Sequence, residues 1–220
     1  MEPKLAQPRP MNAAEPVPPA AARTATPASA PVPVPVPVAQ ASVQAPAPRE
    51  ADSNPQRQQL AARETIANAQ TLWNAGSHGA ALDLMQEAVA TAERTAAGTP
   101  VLASLVREWA RMQLAESHPG PVWDLLTRLE PQLRNEPDLW AVRANAAQRL
   151  GRHQDSLQAY MTALQSRPNE QRWLLGAAVS LAALGQTGNA AEMADKARAV
   201  GPISRDVQTY LRQMGVPLKD

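Results

Sequence analysis

LGRHQDSLQAYMTALQSRP, residues 150–168, and LGQTGNAAEMADKARAVGP, residues 184–202, decide the fold of this chain. Laid over one another, Gly151, Ala163 and Pro168 fall on Gly185, Ala197 and Pro202, each pair 34 positions apart. Each stretch opens on Leu-Gly, runs on through alanine-rich sequence with helical spacing, and closes at a proline that cannot continue a helix. A fixed period of this length marks a structural unit that cannot bury its apolar face alone and must stack on copies of itself.

Working outward, one frame fits the whole C-terminal part: units at 62–102, 103–136, 137–170 and 171–203. The eighth position of each unit is Ala69, Ala110, Ala144 and Ala178, where a small side chain lets two helices approach closely. The fifteenth is Gly76, Ser117, Gly151 and Gly185, the turn where a left-handed residue ends a helix. The twentieth is Ala81, Val122, Ser156 and Ala190, and the twenty-seventh is Ala88, Leu129, Ala163 and Ala197. The first unit carries seven extra residues near Gly98-Thr99-Pro100, a helix stop followed by a start. The frame predicts helices over 57–75, 79–97, 101–116, 121–133, 138–150, 154–166, 171–184 and 188–200. A ninth, 204–214, follows, with Ser204 as N-cap and Val207, Tyr210, Leu211 and Met214 on one apolar face. It reads as the cap that covers the last apolar face of a solenoid.

A helix–turn–helix unit of 34 residues is the period of tetratricopeptide repeats. The expectation is therefore an all-α tetratricopeptide solenoid of four units plus a capping helix. Residues 1–55 differ in kind: they hold 14 of the 22 prolines and none of the 10 glycines. Pro and Val alternate from Pro31 to Val38, which favours polyproline II. With few large apolar groups this segment reads as a disordered Pro-rich linker.

Composition removes several function classes. Net charge is +1, with no basic stripe of the kind nucleic acid requires. There is no cysteine, hence no disulfide and no thiolate metal site. No apolar run approaches the roughly 18 residues of a membrane span, and Met1 is not followed by the apolar core of a signal peptide. His78, His118 and His153 fall in inter-helix turns without a second metal-ligating residue at useful spacing, so they read as solvated turn residues. Glycine-rich phosphate loops and nucleophile elbows are missing. No catalytic, cofactor or metal site is expected, and the chain reads as a non-enzyme.

The frame instead points to a binding groove along the first helices of the units. Its inward positions give Arg63, Gln70, Trp73 and Asn74, then Arg107 and Arg111, then Asn145, Gln148 and Arg149, then Arg172. Asp138 is the single acid at those positions. Arginine pairs carboxylates bidentately, so the expected partner is another protein presenting an acidic extended peptide. Arg107 and Arg111, four apart on one helix face, are expected to lead that contact. Trp109, Trp140 and Trp173 read as packing residues, and Trp123 begins a second helix. Trp73 is the one aromatic placed toward the groove.

The run Leu139-Trp140-Ala141-Val142-Arg143-Ala144-Asn145-Ala146-Ala147-Gln148-Arg149-Leu150-Gly151-Arg152-His153 is one part of a further likeness. The run Arg172-Trp173-Leu174-Leu175-Gly176-Ala177-Ala178, with the ending Tyr210-Leu211-Arg212-Gln213, is the other. With the Pro-rich lead, residues 56–220 resemble the tetratricopeptide proteins of MSHA biogenesis in bacterial type IV pilus systems. That resemblance implies a scaffold for a pilus-assembly component on the periplasmic face of the inner membrane. It also implies a membrane helix ahead of the linker, which this chain lacks, so its natural start is expected upstream. The alternative reading is a cytoplasmic tetratricopeptide adaptor or co-chaperone unrelated to pili.

Overall fold

The computed structural model describes residues 54–218, all within one unit of the chain, Ala45–Asp220. The expected linker lies outside the described residues except at its end. There Asn54 caps a helix that starts at Pro55, its Oδ1 accepting from the Gln56 N–H at 2.9 Å. Among the described residues every regular element is helical. They are α1 (Pro55–Asn74), α2 (His78–Arg94), α3 (Thr99–Ala115), α4 (Pro119–Arg128), α5 (Glu130–Leu133), α6 (Pro137–Arg149), α7 (His153–Ser166), α8 (Gln171–Ala183), α9 (Thr187–Val200) and α10 (Arg205–Gln213).

The turns that separate α1 from α2, α3 from α4, α6 from α7 and α8 from α9 share one geometry. Gly76, Ser117, Gly151 and Gly185 sit in the left-handed region, at φ 80, 62, 72 and 74°. The next residue then donates its N–H five residues back: Ser77 to Leu72, His118 to Gln113, Arg152 to Ala147 and Gln186 to Leu181, at 2.8–2.9 Å. This is the Schellman closure, which satisfies carbonyls that a helix end would otherwise orphan. Ser117 is the costly member, because a Cβ disfavours the left-handed region.

Between these turns the small residues bring the helices together. Ala69, Ala110, Ala144 and Ala178 are fully buried, and so are Ala81, Val122, Ser156 and Ala190 on the paired helices. The pairs α6/α7 and α8/α9 are the most intimate, and α7 in turn packs on α8. The pair α3/α4 is much looser. Neighbouring helices thus pack in pairs, an arrangement compatible with a helical solenoid. Two apolar clusters result, and α6 belongs to both. Leu139, Ala146 and Ala147 face the N-terminal cluster, and Ala141 and Ala144 the C-terminal one.

Two expectations need correction. The predicted helix over 121–133 is broken at Leu129 into α4 and α5. Pro131 lacks an N–H and its ring crowds the carbonyl four residues back, so the ladder cannot run through it. The capping helix forms as α10, but Ser204 makes no side-chain cap bond. Of its apolar face only Leu211 is fully buried, while Tyr210 and Met214 stay more than a third exposed.

Candidate binding trough

A cavity of about 700 Å³ opens between α3, α6 and α8. Helix α3 supplies Arg107, Glu108, Arg111 and Leu114, and α6 supplies Asp138, Asn145 and Arg149. Arg172 and Trp173 come from α8, and Tyr160 reaches in from α7. Five residues expected at the groove therefore meet in it: Arg107, Arg111, Asn145, Arg149 and Arg172.

The arginines are not equivalent. Arg111 is held by Glu108 through both carboxylate oxygens, at 3.0 Å from Nε and 2.7 Å from Nη2. Gln70 donates to the same carboxylate at 3.0 Å. Burial opposes ionisation of Glu108, but the bonds from Arg111 and Gln70 and the Arg111 charge outweigh it and hold the carboxyl below its ordinary 4.5. Arg107 lies 3.5 Å from Glu136 and 4.0 Å from Asp138, and Asp138 also pairs with Arg167. Asp138 is therefore not the single acid of the groove: Glu108 and Glu136 neutralise the α3 end. The pattern carries a faint signal for Glu108, since a carboxylate three residues before Arg111 shares its face.

The other end is different. Arg149 gives one Nη1–H to the Leu114 carbonyl at 2.6 Å and keeps its other donors. Arg172 is exposed and has no hydrogen bond or ion pair among the described residues. Beside them sits Tyr160, 5% exposed. Its burial raises the phenol above its ordinary 10, against a hydrogen bond with Asn145 and the charge of Arg149. The ring fits only because residue 176 is glycine: a Cβ there would lie 2.3 Å from Tyr160 Cζ. Sequence pattern missed Tyr160 because it belongs to a second helix of a pair.

The remaining expected residues lie elsewhere. Arg63 and Asn74 are exposed on α1, outside the trough. Trp73 stacks on His78, with ring centroids 4.1 Å apart, and Arg111 lies 5.9 Å above the indole. Gln148 turns into the packing, donating to the Gly176 carbonyl at 3.0 Å and to Ser180 Oγ at 2.9 Å. Ser180 in turn bonds the buried Ser156. Two histidines also depart from the solvated reading. His78 opens α2 and its Nδ1 meets Glu116 at 2.7 Å, and His153 opens α7, half-buried.

Trp109, Trp123 and Trp173 are buried, and Trp140 donates to the Arg134 carbonyl at 2.8 Å. Arginines stack on three of the indoles: Arg152 on Trp123 at 4.1 Å, Arg143 between Trp123 and Trp140, and Arg167 on Trp173 at 4.3 Å. Among the described residues no cluster of three or more His, Asp and Glu side chains could hold a metal ion. No helix among them is long and apolar enough to cross a membrane. No protein-family model matches this chain, and no curated protein matches it.

Proposed function

We propose that this chain is a non-enzymatic scaffold of tetratricopeptide type whose trough holds an extended acidic segment of another protein. On the strength of the resemblance carried by residues 139–153 and 172–178, that protein is a component of an MSHA-like type IV pilus or related assembly. The repeat reading is supported by the Schellman turns within the four helix pairs, spaced 41, 34 and 34 residues apart; turns of the same kind also close α2 at Ala96 and α10 at Gly215. The binding reading rests on one observation: Arg149 and Arg172 present unspent donors to the trough while the arginines of α3 are already paired. Guanidinium forks recognise carboxylates in two-point fashion, so the free end of the trough is where a partner's acid docks.

The test is capture by the full chain from a pilus-bearing host. The wild type should retain a pilus-assembly component, and the Arg149→Glu/Arg172→Glu variant should lose it while keeping its helical circular dichroism. In a direct assay, a fluorescein-labelled acidic peptide should bind wild type at least about tenfold tighter than the double variant, as expected for loss of charged pairs. Added salt should weaken it. Equal binding by both proteins would remove the trough from consideration. Retention of no pilus component would remove the pilus assignment and leave the trough open to other acidic partners.

A further inference from the structure

The charges that line the trough between α3, α6 and α8 do not balance. Four arginines, Arg107, Arg111, Arg149 and Arg172, face two acids, Glu108 and Asp138. Counting the flanking partners Glu136 and Arg167 leaves the same surplus of two positive charges. Particular side chains carry that surplus. Arg111 is held by Glu108, and Arg107 lies against Glu136 and Asp138. Arg149 and Arg172 are exposed and meet no acid among the described residues.

These two guanidiniums stand at different heights on parallel helices. The chain reverses at the turn 150–152 between α6 and α7, and again at the short link 167–170 before α8, so α6 and α8 run the same way. Arg149 is the last residue of α6 and Arg172 the second of α8. Gln148, next to Arg149, fixes their relative level through its bonds to the Gly176 carbonyl and Ser180 Oγ. Ser180 lies eight residues beyond Arg172. At 1.5 Å per residue the rise is about 12 Å, and neighbouring helix axes stand about 8–10 Å apart. Arg149 also leans away from α8, toward the Leu114 carbonyl of α3. The separation is then about 15–20 Å, which an extended strand covers in about five or six residues. Successive side chains of a strand alternate faces, so only the even separation turns both toward the trough. Between the two arginines the floor is apolar, with Ala141, Tyr160 and Trp173 all buried.

We infer that the trough selects its partner by the spacing of acids: it takes an extended segment with carboxylates at positions i and i+6 and uncharged, apolar side chains between them. The inference rests on the trough being the docking site. One carboxylate pairs with Arg149 and the other with Arg172, which cancels the surplus of two. The side chains at i+2 and i+4 lie on the apolar floor. Glu108 and Asp138 occupy the remaining wall and disfavour a third acid.

The test is a series of fluorescein-labelled peptides of one composition, two glutamates in a Ser-Thr-Val background, titrated onto the full chain by anisotropy. The glutamates stand two, four, five, six or eight residues apart, so net charge is constant and spacing alone varies. Binding should be tightest at six and about tenfold weaker at two, where one charged pair is lost. The preference should disappear in Arg149→Gln and in Arg172→Gln, both changes at exposed positions. Equal binding across the series, or a maximum at another spacing, overturns the inference on wild type alone. If that binding is lost in Arg149→Glu/Arg172→Glu, the trough stands without its spacing rule. Binding by no peptide of the series overturns the trough and the inference together. A folded Arg172→Gln that keeps the preference also overturns the inference.

Discussion

Gly176→Ala should destabilise this domain, although the same change in an exposed helix stabilises. Gly176 lies within α8, so the new methyl gains about 1 kcal/mol of helix propensity. Against that, its Cβ would stand 2.3 Å from Tyr160 Cζ, 2.5 Å from Cε2 and 2.7 Å from the hydroxyl, roughly 1 Å inside ordinary contact. The ring has nowhere easy to go: it is 5% exposed and wedged between α6 and α8. An overlap of this size belongs at the upper end of overpacking costs, about 3 kcal/mol. The net loss is then about 2 kcal/mol. In urea, with a slope near 2 kcal/mol per molar, the midpoint should fall by about 1 M at unchanged slope. Tyr160→Leu removes the ring tip, and in that background Gly176→Ala should turn stabilising by about 1 kcal/mol. The change of sign reads out a coupling of about 3 kcal/mol between the two positions, at the upper limit for side chains in contact. If Gly176→Ala raises the midpoint in the wild-type background, the Tyr160 contact does not constrain this interface and the reasoning fails.

Two further outcomes follow from geometry already described. Ser117→Gly should raise stability by about 0.5–1 kcal/mol in the same urea assay, because relief of left-handed strain exceeds the added chain entropy. Glu108 contributes stability that is complete above its ordinary 4.5 and is lost as pH falls through its lowered folded value. The stability gap between wild type and Glu108→Gln should therefore be largest near neutrality and shrink below about pH 4.5, and a gap that stays constant to pH 3 would contradict the pairing with Arg111.

Legibility differed between backbone and site, for physical reasons. Helix ends were readable because glycine at a left-handed position and alanine at a close approach have few substitutes; 144 and 178 announce themselves. The break at Leu129 was written in Pro131, but the apolar period runs through it, and period alone favoured one helix. The trough was half readable. A helical frame places Arg107, Arg111, Asn145, Arg149 and Arg172 on faces that meet. It does not say which guanidiniums find an acid nearby, since Glu136 reaches Arg107 from just ahead of α6 and Asp138 from its first turn. Nor does it say that Gln148 spends its amide inside the packing, because that partner is the Ser180 hydroxyl 32 residues away. Tyr160 depends on a missing Cβ at Gly176, a relation between two helices that no single helix displays.

The clasp of Glu108 on Arg111 has a consequence for exchange. Glu108 is a carboxylate permanently tethered beside the guanidinium, so it acts as a built-in rival at high effective concentration. An incoming acid at the α3 end must displace it and gains only the difference between two like pairs. An acid at Arg172 displaces nothing but water. Contacts made along the trough would accordingly be graded, firm at one end and readily surrendered at the other, so that a bound strand could peel away from α3 first while its far end stays held.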